Sequence, residues 1–209
     1  MQLVLASNNL KKLSELRAML DGVRVDLISQ RELGIGEADE PHLTFVENAL
    51  AKARHAAEAS GAAAIADDSG LCVDALGGQP GVLSAVYAPV PAAAGLDREA
   101  RRRTQDAANN VLLQQRLQGV PDRRAHFIST LVAVRRADDP QPLVAVGRWP
   151  GEILAAPRGT LGFGYDPLML IPELGRSVAE LDPATKNLHS HRARAMAQML
   201  QLLREVWRV

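Results

Sequence analysis

Short apolar strands alternate with helical segments along the first third of the chain, and this alternation constrains the fold more than any other feature. Residues 3–6 form a short apolar run, and leucines then recur every three or four positions from Leu10 to Leu20, which is typical of a helix. Gly22 predicts the end of that helix, and the alternation of apolar and charged residues from Val23 to Leu27 predicts a half-buried strand. Strands connected by helices form sheets that the helices cover, so this segment predicts an α/β fold.

A second helix and strand follow, and an acidic cluster comes directly after them. Thr44 and Glu47 have the spacing of a capping box, which predicts a helix that begins there and ends at Ser60-Gly61. The small residues at 62–66 predict a buried strand, and Asp67-Asp68-Ser69-Gly70 follows it abruptly. We interpret these polar residues as the place where the strand ends and emerges from an open sheet, which is where α/β sheets bind ligands.

The rest of the chain contains further strands and two more helices. The predicted elements are a helix from Asp97 to about Leu117, strands at 127–134, 143–146 and 168–171, a hairpin connection at 137–142, a loop at 159–167 and a last helix capped by Ser190. Helix-connected strands followed by an antiparallel section predict a mixed sheet with flanking helices. We expect a single domain over residues 1–209, with two lobes around a central cleft.

Composition excludes several classes of protein. The 209 residues are 47% hydrophobic, and 24 basic side chains balance 24 acidic ones, whereas general nucleic-acid binders usually carry a basic excess. The single cysteine, Cys72, excludes an intramolecular disulfide framework. No apolar run reaches the length of a membrane span, and the short apolar start lacks the basic residues of a signal peptide. We therefore expect a cytoplasmic protein that binds neither membranes nor nucleic acid.

The segment from Ser7 to Lys12 is the first candidate for ligand binding. A strand ends there, polar residues turn the chain, and a helix begins with Lys11 and Lys12. Helix N-termini present free N–H groups that attract phosphate, and a lysine ammonium binds phosphate as a point charge. The segment lacks the Walker A pattern, and an ordinary capped helix with exposed lysines is the alternative.

Asp67 and Asp68 form the second candidate. A carboxylate at a strand end can hold Mg²⁺ or activate a water molecule. Neighbouring side chains on a strand point in opposite directions, so the two acids are expected to have different roles. A plain polar turn is the alternative.

Three further groups of residues could bind a ligand. Lys52 lies on one face of the second helix, and Glu40 lies in the loop that precedes this helix. Phe163 lies between two glycines in a loop, where its ring could stack on a nucleotide base. Lys186 and Ser190-His191-Arg192 place cations at the start of the last helix, where the helix dipole disfavours them unless an anion is present. A solvated helix face or a tight turn is the alternative for each.

Taken in chain order, these segments resemble the family of inosine/xanthosine triphosphate pyrophosphatases, which hydrolyse non-standard purine nucleotides. The matching pieces are Ser7-x-Asn9-x-x-Lys12, Glu40, Thr44-Phe45-x-Glu47-Asn48-Ala49, Lys52-Ala53-Arg54, Asp67-Asp68-Ser69-Gly70-Leu71, Gly78-x-Pro80-Gly81, Gly162-Phe163-Gly164-Tyr165-Asp166-Pro167, Lys186 and Ser190-His191-Arg192. Each piece is weak alone, whereas the ordered set covers nearly the whole chain and is specific.

The resemblance implies an elongated α/β homodimer that uses Mg²⁺ to hydrolyse dITP, ITP and XTP to the monophosphate and pyrophosphate. It implies that Ser7, Asn8, Asn9, Leu10, Lys11 and Lys12 bind the triphosphate, that Lys52 and Ser69 contact phosphate, and that Glu40 and Asp68 hold Mg²⁺. It also implies a base and sugar pocket made by Phe163, Gly164, Tyr165, Asp166, Lys186, His191 and Arg192. We expect Asp68 to act as the base, and Lys12 and Lys52 to neutralise the charge of the departing pyrophosphate.

Two other functions remain open at this point. One is a pyrophosphatase that acts on other nucleotides, such as modified pyrimidines, and a substrate panel separates it. The other is a module that binds nucleotides without turnover, and the paired acids argue against it because a phosphate binder gains nothing from carboxylates beside the anion.

Overall fold

The computed structural model describes residues 1–20, 24–90 and 97–209. Its strands are β1 (Gln2–Leu5), β2 (Asp26–Ser29), β3 (Ala63–Val73), β4 (Arg124–Val134), β5 (Leu143–Ile153), β6 (Met169–Ile171) and β7 (Arg176–Ser177). Its α-helices are α1 (Leu10–Met19), α2 (Phe45–Ser60), α3 (Arg98–Arg116), α4 (Pro183–His189) and α5 (His191–Leu202). The predicted helix end at Gly22 and the strand start at Val23 lie outside the described residues.

The described strands form one mixed sheet in the order β2-β1-β3-β4-β5-β6-β7. β1 pairs in parallel with β2 and β3, as expected for strands joined by helices, and β6 pairs antiparallel with β5 and β7. The predicted α/β class with a mixed sheet and flanking helices is therefore confirmed. None of the described helices is long and apolar enough to cross a lipid bilayer.

The chain divides into two compact units. The first contains Met1–Ser69, Ile128–Arg148 and Asn187–Val209, and the second contains Gly70–Phe127 and Trp149–Lys186. The long strands β3, β4 and β5 contribute residues to both units. The single domain and its central cleft stay predictions.

The core of the first unit lies on both faces of its strands, because successive strand side chains point to opposite faces. Leu3 and Leu5 pack with apolar residues of α1 and α5, whereas Val4 packs against the alanines of α2. Ala49 and Ala53 are completely buried there. Their small side chains allow α2 to pack closely on the sheet, which brings the neighbouring Lys52 towards β3.

Helix starts agree with the predictions made from local sequence. The Thr44 hydroxyl accepts a hydrogen bond from the backbone N–H of Glu47, and the Asp97 carboxylate accepts one from Ala100. Ser190 caps α5 in the same way. The three predicted helix starts are therefore confirmed. They could be predicted from the sequence because a helix cap depends on residues that are close in sequence.

The predicted end of the third strand at residue 66 is wrong. β3 continues through Asp67-Asp68-Ser69-Gly70 and ends only at Val73. Aspartate and glycine are disfavoured in strands, but pairing with neighbouring strands and with distant cations outweighs that local preference. The two acids therefore lie inside the strand and are buried, at 1% and 6% relative exposure, instead of in an exposed turn.

The second unit has its own core beside α3. Leu113 and Leu117 are completely buried and belong to one cluster with Leu71 and Trp149. Helix α3 is thereby fixed to the strands of this unit, and its preceding turns contact the loop that contains Phe163.

Candidate active site

Lys52 is the centre of the first group of charges in the first unit. Its Nζ lies 2.8 Å from Glu40 Oε2 and 3.0 Å from Asp68 Oδ1, and it also donates to the backbone oxygen of Asp67 at 3.2 Å. Burial would lower the pKa of Lys52, but the two carboxylates outweigh that effect and raise it. Lys52 is therefore a buried, permanently charged ammonium that two acids share.

Asp68 has one carboxylate oxygen without a partner. Oδ1 accepts from Lys52, whereas Oδ2 is buried and has no hydrogen-bond partner among the described residues. Burial raises the pKa of Asp68 although Lys52 opposes the shift, and the nearby Glu40 carboxylate adds to it. A buried carboxylate oxygen with no hydrogen-bond partner is costly, and Asp68 Oδ2 is therefore a candidate ligand atom.

The carboxylate pair fits Mg²⁺ by its chemistry. Mg²⁺ prefers hard oxygen ligands and is usually held by one or two carboxylates together with water and substrate phosphates. Glu40 and Asp68 supply two carboxylates, and the unpartnered Asp68 Oδ2 is a free ligand atom. Within the described ranges there is no cluster of three or more metal-ligating side chains.

Asp67 organises a second group of charges on the opposite side of β3. Its Oδ2 lies 2.9 Å from Lys12 Nζ and 3.0 Å from Arg192 Nε, and its Oδ1 accepts from Ser129 Oγ at 2.6 Å. Burial alone would raise the pKa of Asp67, but Lys12, Arg192 and Ser129 lower it far below the usual range. The predicted difference in role between the two neighbouring acids therefore has a structural basis.

The two lysines converge on one atom. Lys12 Nζ and Lys52 Nζ both donate to the backbone oxygen of Asp67, at 3.3 and 3.2 Å. Burial lowers the pKa of Lys12, and Arg192 and Lys52 lower it further against the opposing effect of Asp67. The two ammonium groups therefore lie close together at this part of β3, each paired with a carboxylate of the chain.

The turn before α1 uses its polar side chains to begin the helix. Ser7 Oγ accepts from the backbone N–H of Asn9, and Asn9 Oδ1 accepts from that of Lys12 at 3.4 Å. Asn8 Oδ1 accepts from the side-chain amide of Gln30 at 3.3 Å. The side chains of Leu10 and Lys11 lie outside the described part of the chain, so triphosphate binding by this segment stays a prediction.

Arg192 has its anionic partners inside the protein. Besides Asp67, its guanidinium lies 2.8 Å from Glu15 Oε2 and donates to Ser69 Oγ at 3.0 Å. Gly147 of β5 allows α5 to begin close to the sheet, because a Cβ at this position would collide with the backbone oxygen of His191. His191 is also buried. The predicted contacts of Ser69, His191 and Arg192 with substrate stay predictions.

The second unit brings together the predicted base-binding residues 163–166 and Lys186. Asp166 Oδ2 accepts from the backbone N–H of Phe163 at 2.9 Å and lies 2.8 Å from Lys186 Nζ. Lys186 Nζ is also 4.7 Å from the centre of the Phe163 ring, a cation–π contact. Tyr165 is buried and donates to the backbone oxygen of Ser84 at 3.0 Å. The loop is therefore held by contacts within its own unit.

Several residues of these networks were missed in the sequence. Ser129 stands beside Thr130 in β4, and Glu15 occupies one of the polar positions of α1, so neither stands out from its local pattern. Asp106 and Asn110 of α3 contact Gly164, as described below, and have only their helical spacing as a signal. Their partners are distant in sequence, so no local pattern reveals them.

Comparison with known proteins decides the family. The model of the Ham1 family matches residues 3–202. The chain belongs to the Ham1 family. The resemblance inferred from the ordered motifs is thereby confirmed, although the roles of the individual residues are not tested by it.

Members of the Ham1 family and curated relatives resemble the chain over its whole length. A dITP/XTP pyrophosphatase of Methylibium petroleiphilum is 66% identical, with 99% of both chains covered. Another of Leptothrix cholodnii is 64% identical with the same coverage. The structure of a Ham1 protein from Coxiella burnetii has a TM-score of 0.87 at 40% identity, covering 99% of this chain and all of that one.

Proposed function

We propose that the chain is a Mg²⁺-dependent pyrophosphohydrolase that cleaves dITP, XTP and ITP to the monophosphate and pyrophosphate. The observation that carries the proposal is the buried group in which Lys52 joins Glu40 and Asp68, with one Asp68 oxygen left unpartnered. A module that only binds phosphate has no use for two carboxylates at this place. The curated relatives are named dITP/XTP pyrophosphatase, which supports this reaction on dITP and XTP.

Glu40 and Asp68 would hold the metal. When bound, Mg²⁺ supplies charge neutralisation to the phosphate oxygens. Lys52 keeps the two carboxylates together and ionised, because it lies within 3.0 Å of each. Its ammonium, with that of Lys12, stabilises negative charge as pyrophosphate leaves.

Asp68 would orient or deprotonate the water that attacks the α-phosphorus. A general base needs a pKa near the working pH, and burial raises the pKa of this carboxyl towards that range. Asp67 cannot take this role, since its carboxylate is occupied by Lys12, Arg192 and Ser129.

The loop of the second unit would bind the base. Phe163 would stack on the purine, and donors near it would meet the 6-keto oxygen that hypoxanthine and xanthine carry in place of the 6-amino group of adenine. A site built to pair one polar group can reject the mismatched one by about 10⁴-fold. Guanine shares the 6-keto oxygen, so its exclusion depends on contacts around C2.

Homodimer formation and a cytoplasmic location are part of the same proposal, and both rest on the resemblance. Light scattering on the purified protein measures the mass of the particle directly. A mass twice that of the 22.5 kDa chain supports the dimer, and a mass equal to one chain contradicts it.

The test is a substrate panel with separate assays for pyrophosphate and orthophosphate. With Mg²⁺, dITP, XTP and ITP should release pyrophosphate quickly, whereas ATP and GTP should release it slowly. Activity confined to modified pyrimidine triphosphates would favour the alternative enzyme, and tight binding without product would favour the sensing module. Omitting Mg²⁺ should abolish turnover.

Asp68→Asn tests the role of the base. This variant keeps the size of the side chain and should lower kcat by at least about 10²-fold. Asp138→Asn makes the same change at a side chain that is 82% exposed in the first unit, and it should leave kcat unchanged. Equal activity of the two variants would contradict the proposed role of Asp68.

A further inference from the structure

Helix α3 binds both backbone polar groups of one residue, Gly164, in the loop that contains Phe163. The Asp106 carboxylate accepts from the backbone N–H of Gly164 at 3.0 Å. The Asn110 side-chain amide donates to the backbone oxygen of the same residue at 2.9 Å. Asp106 and Asn110 are one helical turn apart, so one face of α3 forms hydrogen bonds with both the N–H and the carbonyl oxygen of Gly164.

The orientation of the Asn110 amide follows from its partners. Its Nδ2 donates to two carbonyl oxygens, those of Gly164 and Asp106, each at 2.9 Å. Both partners are acceptors only, so the opposite orientation would place Oδ1 against two other oxygens. A donor is therefore required at this position.

Gly164 directly follows Phe163, the residue that carries the aromatic ring. Gly164 has φ +61°, a left-handed conformation that favours glycine. The preceding residue, Phe163, donates its backbone N–H to the Asp166 carboxylate, which fixes the backbone there. Arg102, one turn before Asp106 on α3, lies with its guanidinium carbon 4.9 Å from the centre of the Phe163 ring. Three successive turns of α3 thus contact residues 163–164.

We propose that Asp106 and Asn110 are positioning residues that set the place of Phe163, and so determine how strongly and how selectively the base is bound. The inference rests on the proposed function. It assigns a role in base selection to α3, whose residues carry none of the motifs that indicated the reaction. Since the phosphate groups are assigned to the first unit, the effect should be confined to recognition of the base.

Asn110→Asp is the sharpest test. The substitution keeps the shape of the side chain but places a carboxylate against two carbonyl oxygens. We expect KM for dITP and the inhibition constant of dIMP to rise about tenfold, because the hydrogen bond that holds the Gly164 oxygen is replaced by repulsion. The preference for dITP over dGTP should fall, since the ring is no longer held in place. Inhibition by inorganic pyrophosphate should change by less than about twofold.

Gln114→Glu is the matched control. Gln114 stands one further turn along the same helix and donates from its amide to the backbone oxygen of Ala155 at 2.9 Å. The chemical change from amide to carboxylate is the same, but it faces one carbonyl at an exposed site, and that partner lies outside the loop of Phe163. This control should lower the melting temperature without altering the dITP-to-dGTP preference.

A second pair of variants keeps the test decisive if Asn110→Asp does not fold. Asp106→Asn retains an acceptor for the Gly164 N–H and should retain the dITP preference, whereas Asp106→Leu removes the acceptor and should lose it. A preference unchanged in both Asp106→Leu and Asn110→Asp would overturn the inference. Equal weakening of dIMP and pyrophosphate inhibition would also overturn it, since that indicates general damage. If the unaltered protein releases no pyrophosphate from any triphosphate, the proposed function itself fails.

Discussion

Replacing Asp67 by asparagine should destabilise the protein strongly, because this carboxylate compensates two buried cations. Its side chain is completely buried, with Lys12 at 2.9 Å and Arg192 at 3.0 Å. Removing one partner of a buried ion pair costs about 3–5 kcal/mol, because the remaining charge stays buried and uncompensated. For a chain of this size the melting temperature should fall by roughly 10 °C.

Thermal and urea unfolding of four single variants and one double variant measures this effect. Ser129→Ala removes only the hydrogen bond to Asp67 Oδ1 and should cost about 1–2 kcal/mol. Asp138→Asn, at an exposed ion pair, should cost less than about 1 kcal/mol. Lys12→Met should destabilise the unaltered protein but stabilise Asp67→Asn, since in that background it removes an uncompensated charge. An equal effect of Lys12→Met in both backgrounds would refute this reasoning.

The same carboxylate predicts a dependence on pH. The folded state lowers the pKa of Asp67, mainly through Lys12 and Arg192 acting against burial. Its contribution is therefore complete above the unfolded pKa of about 4 and decreases as the pH falls from there towards the folded value. The difference in unfolding free energy between the unaltered protein and Asp67→Asn should shrink between about pH 5 and pH 3. A constant difference over that range would contradict the assignment.

Two further predictions follow from the two units taken separately. Lys52→Met removes the ammonium that Glu40 and Asp68 share. We expect kcat/KM for dITP to fall by at least about 10²-fold. A smaller loss would mean that the ammonium is not part of the site. Gly162→Ala should raise KM for dITP and lower the melting temperature more than Gly164→Ala does. Both glycines have positive φ, but only a Cβ at position 162 collides with the Asp166 carboxylate. Equal effects of the two substitutions would contradict this expectation.

Local sequence predicts those parts of the fold that depend on neighbouring residues. Thr44, Asp97 and Ser190 each begin a helix where the capping pattern places it, since the groups they satisfy are two or three residues away. The course of β3 could not be predicted in this way. Its acids are stabilised by residues far along the chain, so they stay in the strand although the local pattern predicts a turn.

The candidate site shows the same division. The sequence places Glu40 and Lys52 in one candidate group and Asp68 in another, and the structure brings both carboxylates within 3.0 Å of Lys52 Nζ. It does not show that Arg192 binds Glu15, because that contact joins residues 177 positions apart. Long-range pairing decides which cations neutralise the protein's own acids, and no periodicity of the sequence contains that information.

Hydrolysis of dITP in water enriched in oxygen-18 tests the central claim most directly, because it reports both the products and the atom attacked. Attack on the α-phosphorus places the label in dIMP and leaves the pyrophosphate unlabelled, as the proposed role of Asp68 predicts. Label in pyrophosphate, or release of orthophosphate with dIDP, would contradict the account.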